Sequence, residues 1–168
     1  MAESGPERSA APQRAVEVEP PRGLRQASVD SKGRLKLPVA IKEYLTEFGD
    51  TKVFITSLDG RIARIYPIST WRENEKVLEN FTDDPFAAED ISFTAYELGA
   101  DCDMDGEGRL LVPQELRRRL NLENQQVWLH CHKSRINVYT TQVYQEMQAR
   151  AALQRQDKLQ LLEKNGLK

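Results

Sequence analysis

"VDSKGRLKLP" at residues 29–38 returns as "MDGEGRLLVP" at residues 104–113, and that doubling governs how the rest of the chain is read. Both stretches run apolar, Asp, two variable residues, Gly, Arg, Leu, one variable residue, apolar, Pro. The match continues outward from the proline. Ile41 and Leu45 answer to Leu116 and Leu120, "VFITSLDGRIARIY" (53–66) answers to "VWLHCHKSRINVY" (127–139) with one residue deleted, and Trp71 answers to Tyr144. Self-similarity at a fixed spacing marks repeated structural units, so the chain is a tandem duplication.

Two other readings of the second stretch fail on their own chemistry. In "DCDMDGEGRLLVP" (101–113), Asp101, Asp103, Asp105 and Gly106 imitate the opening of a calcium-binding EF-hand loop. Its twelfth position, which must supply a bidentate carboxylate, is Val112, and its ninth is the cation Arg109. The first copy has Gln26 and Ser28 where the second has Asp101 and Asp103, so of the three aspartates only Asp105, paired with Asp30, belongs to the shared unit. Gly106 and Gly108 open a dinucleotide fingerprint whose third glycine position is Leu111, which leaves no close approach for a pyrophosphate.

Within one copy, Asp30-Ser31-Lys32-Gly33 has the side-chain acceptor and terminal glycine of a type I turn closing a hairpin, with residues 34–37 as the return strand. Pro38 suits the first turn of a helix, and Ile41, Leu45 and Phe48 recur at helical spacing. Residues 53–56 and 62–66 read as a second hairpin around Asp59-Gly60, followed by a helix with Ile68, Trp71, Leu78 and Phe81 on one stripe. A unit of about 45 residues cannot bury enough apolar surface alone. The two copies are therefore expected to interleave about a pseudo-twofold axis as one domain, with Asp30 to Arg34 and Asp105 to Arg109 at equivalent tips.

Bulk properties bound the function. The net charge of -2 over 168 residues argues for no particular partner. Residues 73–103, however, hold ten acids and one lysine, so they carry -9 and the remainder of the chain +7. That split hints at an anionic partner for the repeats. Two cysteines, Cys102 and Cys131, exclude a disulfide framework and fit a reducing cytoplasm. No apolar run approaches the roughly 20 residues that span a membrane. Residues 1–23, rich in Pro, Glu, Arg and Ala, lack the core of a signal peptide and read as a disordered arm.

Two copies of Asp-x-x-Gly-Arg, each with a proline four residues after the arginine, about 75 residues apart and each followed by a helix and a hairpin, resemble the MraZ family. These are bacterial transcriptional regulators of the AbrB/SpoVT swapped-hairpin group. The resemblance covers about residues 24–147. It implies an α+β fold, a tandem-duplicated swapped-hairpin core resembling a β-barrel, with short helices. The first copy spans about 24–81 and the second 99–147, with an acidic connector at 73–103 and a helical or disordered tail at 148–168. It further implies a homo-oligomeric ring that binds double-stranded DNA at promoter direct repeats of the division and cell-wall gene cluster, placing it in the cytoplasm on the nucleoid.

Carried over by position, the resemblance puts Arg34 and Arg109 at the DNA, with Lys32 where the family often has a lysine. An arginine just after a tight turn presents a planar fork of donors that matches guanine O6 and N7 or a phosphate. Lys36 is a second-rank contact. Asp30 and Asp105, repelled by phosphate, are assigned with Gly33 and Gly108 to shaping the turns. Lys42, Arg117, Arg118 and Arg119 could reach phosphates, although such a run ordinarily solvates a helix face. Glu107 stands where the first copy has Lys32, so the second tip carries two acids against one arginine.

Enzymatic chemistry finds no purchase. The two histidines, His130 and His132, share one face of an expected strand with Cys131 opposite. No nucleophile motif is present, and the set is too poor for zinc. No metal, cofactor or small-molecule substrate is expected. The rival to a DNA regulator is a protein-binding or assembly module on the same scaffold.

Overall fold

The computed structural model describes residues 18–50 and 52–168. Of the expected N-terminal arm, residues 1–17 lie outside the described residues, while Val18 packs against the core.

Each copy follows the same local plan. In the first, β1 (Leu24–Val29) and β2 (Arg34–Lys36) form a hairpin, followed by helix α1 (Val39–Phe48), strands β3 (Lys52–Ser57) and β4 (Ala63–Pro67), and helix α2 (Ile68–Asn80). In the second, β5 (Ala100–Asp103), β6 (Arg109–Leu111), α4 (Gln114–Leu120), β7 (Gln125–His132), β8 (Arg135–Thr140) and α5 (Thr141–Ala152) repeat the order. Helix α3 (Ala87–Leu98) joins the copies and α6 (Arg155–Lys164) follows the second. Pro38 and Pro113 sit one residue earlier than expected. They are N-caps with extended ψ of 148° and 140°, where a fixed φ suits the entry and no N–H is lost to the helix. The helix α1 ends at Gly49 in the left-handed region, φ 86°, with its N–H donated to the Thr46 carbonyl.

The eight strands make one antiparallel sheet in the order β5-β3-β4-β8-β7-β1-β2-β6. The copies are interleaved as the duplication required. Strand β1 pairs with β7 of the other copy over six positions, from Leu24 opposite His130 to Val29 opposite Gln125, and β5 pairs with β3. Across the pseudo-axis, β2 pairs with β6 and β4 with β8. The outer strands β5 and β6 approach each other, and the Asp105 N–H donates to the Arg109 carbonyl at 3.0 Å, so the sheet curls into a nearly closed barrel. Near-closure leaves only the short strands β5 and β6 as edges.

Alternating β-branched and leucine residues place one face of each strand inside. Leu35, Ile55 and Ile65 from the first copy meet Leu110, Leu129 and Ile136 from the second, with Ile41, Leu45 and Leu116 of the short helices closing the ends. Neither copy has a core of its own, so hydrophobic burial stabilises only the pair. Outside the barrel, Phe54, Tyr66, Trp71 and Ala95 form a smaller cluster under α2 and α3, with Phe54 stacked on Trp71 at 4.4 Å between ring centroids.

One expectation needs correction. Phe81 does not lie on the buried stripe of α2, because the helix stops at Asn80 and Phe81 turns into extended backbone with its ring largely exposed. The acidic span 73–103, expected to connect the copies, is largely helical. It contains α3, whose Ala95 and Leu98 are fully buried while its acids face outward.

Candidate nucleic-acid interface

The two Asp-x-x-Gly-Arg segments build the same object twice. In the first, the Gly33 N–H donates to the Asp30 carbonyl at 3.1 Å and the Asp30 N–H to the Arg34 carbonyl at 3.0 Å, closing the turn. Gly33 takes φ 82°, a left-handed value that a side chain adopts only with strain. The Asp30 carboxylate then fills the turn. Its Oδ1 accepts the N–H groups of Lys32 and Arg34 at 2.9 Å each, and its Oδ2 accepts Arg34 Nε at 2.7 Å. In the second, Gly108 has φ 74°, Asp105 Oδ1 accepts from Glu107 and Arg109 at 2.9 Å, and Oδ2 accepts Arg109 Nε at 2.8 Å.

Each arginine is held at Nε, so the aspartate fixes the orientation of its guanidinium. The backbone N–H of Arg34, then its guanidinium, holds the Asp30 carboxyl below its ordinary value. The equivalent backbone and guanidinium donors of Arg109 take Asp105 down to about 2. The hydrogen bond to Asp105 in turn raises the pKa of Arg109. Asp105 thus uses both oxygens inside the turn. Among the described residues no group of three or more His, Cys, Asp or Glu side chains could hold a metal ion.

Pairing of β2 with β6 brings the two objects side by side rather than to separate tips. Leu35 lies opposite Leu110, both buried, so the residues on either side of them face outward: Arg34 opposite Leu111, and Lys36 opposite Arg109. The outer face of this two-stranded ladder therefore carries three cations and one leucine, 55% exposed, which the sequence reading had not singled out. Lys32 is exposed on its turn. Lys36 reaches across to donate its ammonium to the Glu107 carbonyl at 2.8 Å.

The two arginines are not equivalent. Arg109 Nη1 is paired with Glu107 Oε2 at 3.1 Å. Among the described residues, Arg34 has no recorded partner beyond Asp30, with its side chain 33% exposed. Glu107 thus neutralises part of the second site and leaves Arg34 the freer donor.

Two residues assigned to a solvated helix face have a different place. Arg117 of α4 crosses to the first copy, lying on Gly33 and donating Nη1 to the Lys32 carbonyl at 3.0 Å and to Glu123 Oε1 at 3.1 Å. Lys42 of α1 lies in the same way on Gly108 of the second copy. Each turn is therefore braced by a cation from the other half, a further reason that only glycine fits there. The signal was present in the repeat, since Lys42 and Arg117 both stand four residues after the conserved-spacing proline of their copy. Arg118 and Arg119, in contrast, pair with Glu115 and Glu97.

His130 Nδ1 lies 3.4 Å from the Tyr139 hydroxyl, and Cys131 faces the core, where burial pushes its thiol up to about 11.

Comparison with known proteins gives a consistent picture. Residues 98–163 match a family described as "MraZ protein, putative antitoxin-like". A protein of Acidobacterium capsulatum is 38% identical over 96 residues, 57% of this chain and 66% of that protein. One from Caldanaerobacter subterraneus subsp. tengcongensis is 27% identical over 127 residues, 74% of this chain and 83% of its own length. A third, from Thiobacillus denitrificans, is 31% identical over 102 residues, 61% and 69% respectively. All three carry the name transcriptional regulator MraZ.

Proposed function

The chain belongs to the MraZ family of transcriptional regulators, and from that premise we propose that it reads promoter DNA, in direct repeats, through the β2–β6 ladder. The observation that carries this reading is the pair of arginines oriented by Asp30 and Asp105 on one exposed two-stranded ribbon. A β-ribbon of this width enters the major groove. Arg34 supplies the principal base or phosphate contact, Arg109 a weaker one, and Lys32 and Lys36 contact phosphates. Gly33 and Gly108 let the backbone turn sharply. The protein has no enzymatic role in this reading.

A single ladder offers few contacts. A ring of identical subunits would line up several ladders on successive repeats, where effective concentration multiplies modest affinities. Support for self-association comes from α2, α3 and the turn between them, where Val77, Phe86, Phe93 and Tyr96 are exposed. Exposed apolar side chains on two packed helices suit an interaction surface. That same surface favours the second reading, a non-enzymatic assembly module whose main partner is another protein. Among the described residues no helix is long and apolar enough to cross a membrane, and the proposed place of action is the nucleoid.

Fluorescence anisotropy against a duplex carrying direct repeats from the promoter of its own gene, beside a scrambled duplex and at two salt concentrations, separates the readings. DNA recognition requires that log K fall against log salt with a slope of about 0.9 per contacted phosphate, and that Arg34→Ala remove the preference for the repeats. Equal, weak binding of both duplexes, unchanged by Arg34→Ala, refutes it in favour of the protein partner.

A further inference from the structure

On the side of the barrel opposite the ladder, where β4 pairs with β8, a pocket of about 300 Å³ opens between α2 and the β7–β8 turn. Its apolar wall is Leu58, Trp71, Leu78 and Ile91. Its polar wall carries Arg64, Lys133 and Arg135, and no Asp or Glu lines it.

These cations are poorly satisfied. Arg64 Nε is buried with no hydrogen-bond partner, while Nη1 donates to the Tyr66 hydroxyl at 3.1 Å. Arg135 has only the Asn137 amide oxygen, 3.2 Å from its Nε. None of the three forms an ion pair among the described residues, whereas eight pairs occur elsewhere on the molecule. Asp59, near Arg64, spends its Oδ1 on the N–H groups of Arg61 and Ile62 and on the Ser57 hydroxyl.

The pseudo-twofold supplies a built-in comparison. At the related position, Arg61 of the β3–β4 turn is closed off by an ion pair with Glu146 of α5. Glu73 answers to Glu146 in the repeat but is exposed and unpaired among the described residues, and Thr70 and Asn74 face the pocket instead. One seam of the molecule is neutralised internally. The other keeps its cations beside an aromatic and aliphatic wall.

We infer that this pocket binds a small organic anion, one with a phosphate or carboxylate head on an aromatic or apolar body. The head meets Arg64, Arg135 and Lys133, which line the pocket with no carboxylate beside them. The body lies against Trp71 and Leu78. A largely apolar cleft with a few convergent polar groups is the usual form of a small-ligand site. The inference is independent of DNA binding.

Trp71 reports on its own pocket once the other tryptophan is removed, so the test uses the full chain carrying Trp128→Phe. Titration with phenyl phosphate, benzoate and inorganic phosphate compares the two head groups and the bare ion. Both aromatic anions should change Trp71 emission saturably, with Kd on the order of 1 mM, and inorganic phosphate should bind at least about 10-fold more weakly for want of a body. Arg64→Gln with Arg135→Gln should weaken the aromatic anions at least about 10-fold, through loss of charge-assisted hydrogen bonds, without moving the urea midpoint. Should that variant fail to fold, Lys133→Gln on the exposed turn should still weaken binding several-fold, roughly one such contact. No saturable response to either aromatic anion, an equal affinity for inorganic phosphate, or binding unchanged by the substitutions would overturn the inference.

Discussion

Replacing Gly33 with alanine tests whether each half of the molecule braces the turn of the other. Gly33 has φ 82°, and a β-carbon built there would lie 2.0 Å from Arg117 Nη1 and 2.4 Å from its Cδ. The left-handed backbone costs a non-glycine residue about 1–2 kcal/mol. The clash adds to it, because Arg117 must leave a site where its side chain is only 15% exposed. It then loses the bond to the Lys32 carbonyl, about 1 kcal/mol net, while the partly exposed Glu123 pair adds little. Gly33→Ala should therefore destabilise by about 2–3 kcal/mol, lowering Tm by about 5–10 °C for a chain of this size. Gly108→Ala shares the strain, at φ 74°, but meets only the flexible Lys42 chain at 2.9 Å, and should cost about 1–2 kcal/mol. Gly106→Ala, with open space around it, should change stability by less than about 0.5 kcal/mol. The assay is urea unfolding followed by tryptophan emission at one protein concentration, since association would shift the midpoint. Repeating Gly33→Ala in an Arg117→Ala background should recover about 1 kcal/mol of its cost, the interaction energy of the cycle. A cost equal to that of Gly106→Ala, or one unchanged by Arg117→Ala, would refute cross-bracing.

Three further outcomes follow from the same geometry. Leu116→Ala, at a fully buried core position shared by both copies, should cost about 2–5 kcal/mol by calorimetry, whereas Leu111→Ala on the outer ladder should stay within about 0.5 kcal/mol. Asp105 has a folded pKa of about 2 against an ordinary 3.8, so its ionised form stabilises the fold fully above about pH 4, and that contribution is lost as pH falls toward 2. The gap between wild type and Asp105→Asn in urea midpoint should accordingly be constant from pH 5 to 7 and shrink below pH 4; a gap independent of pH would contradict the assignment. Glu107→Lys frees Arg109 of its second carboxylate and gives the second turn the residue of the first, so log K for DNA should rise and its salt slope steepen by about 1. An unchanged slope would remove the second turn from the interface.

Much of this was legible before any coordinates, for reasons that are local. The turn contacts of Asp30 run to residues two and four positions later, so a fixed spacing encodes them wherever the segment sits. Helical spacing likewise exposed the buried faces of α1 and α4, through Ile41, Leu45 and Leu116. The helix within the acidic span is not legible in the sequence because its charge dominates its pattern. Ala95 and Leu98 alone of α3 reach the interior, too few to register as a stripe.

The sequence by itself determined that there are two copies of one unit, that each carries an arginine just after an aspartate-glycine turn, and that one copy is too small to bury a core alone. Only the tertiary structure decided that the arginines share one ladder, that Lys42 and Arg117 brace each other's half, and that Arg64 meets Arg135 and Lys133 beside Trp71. Those relations join residues from different copies, about 60 to 85 positions apart. Strand pairing across the pseudo-axis sets them, and it depends on the area the two halves bury together rather than on any spacing along the chain.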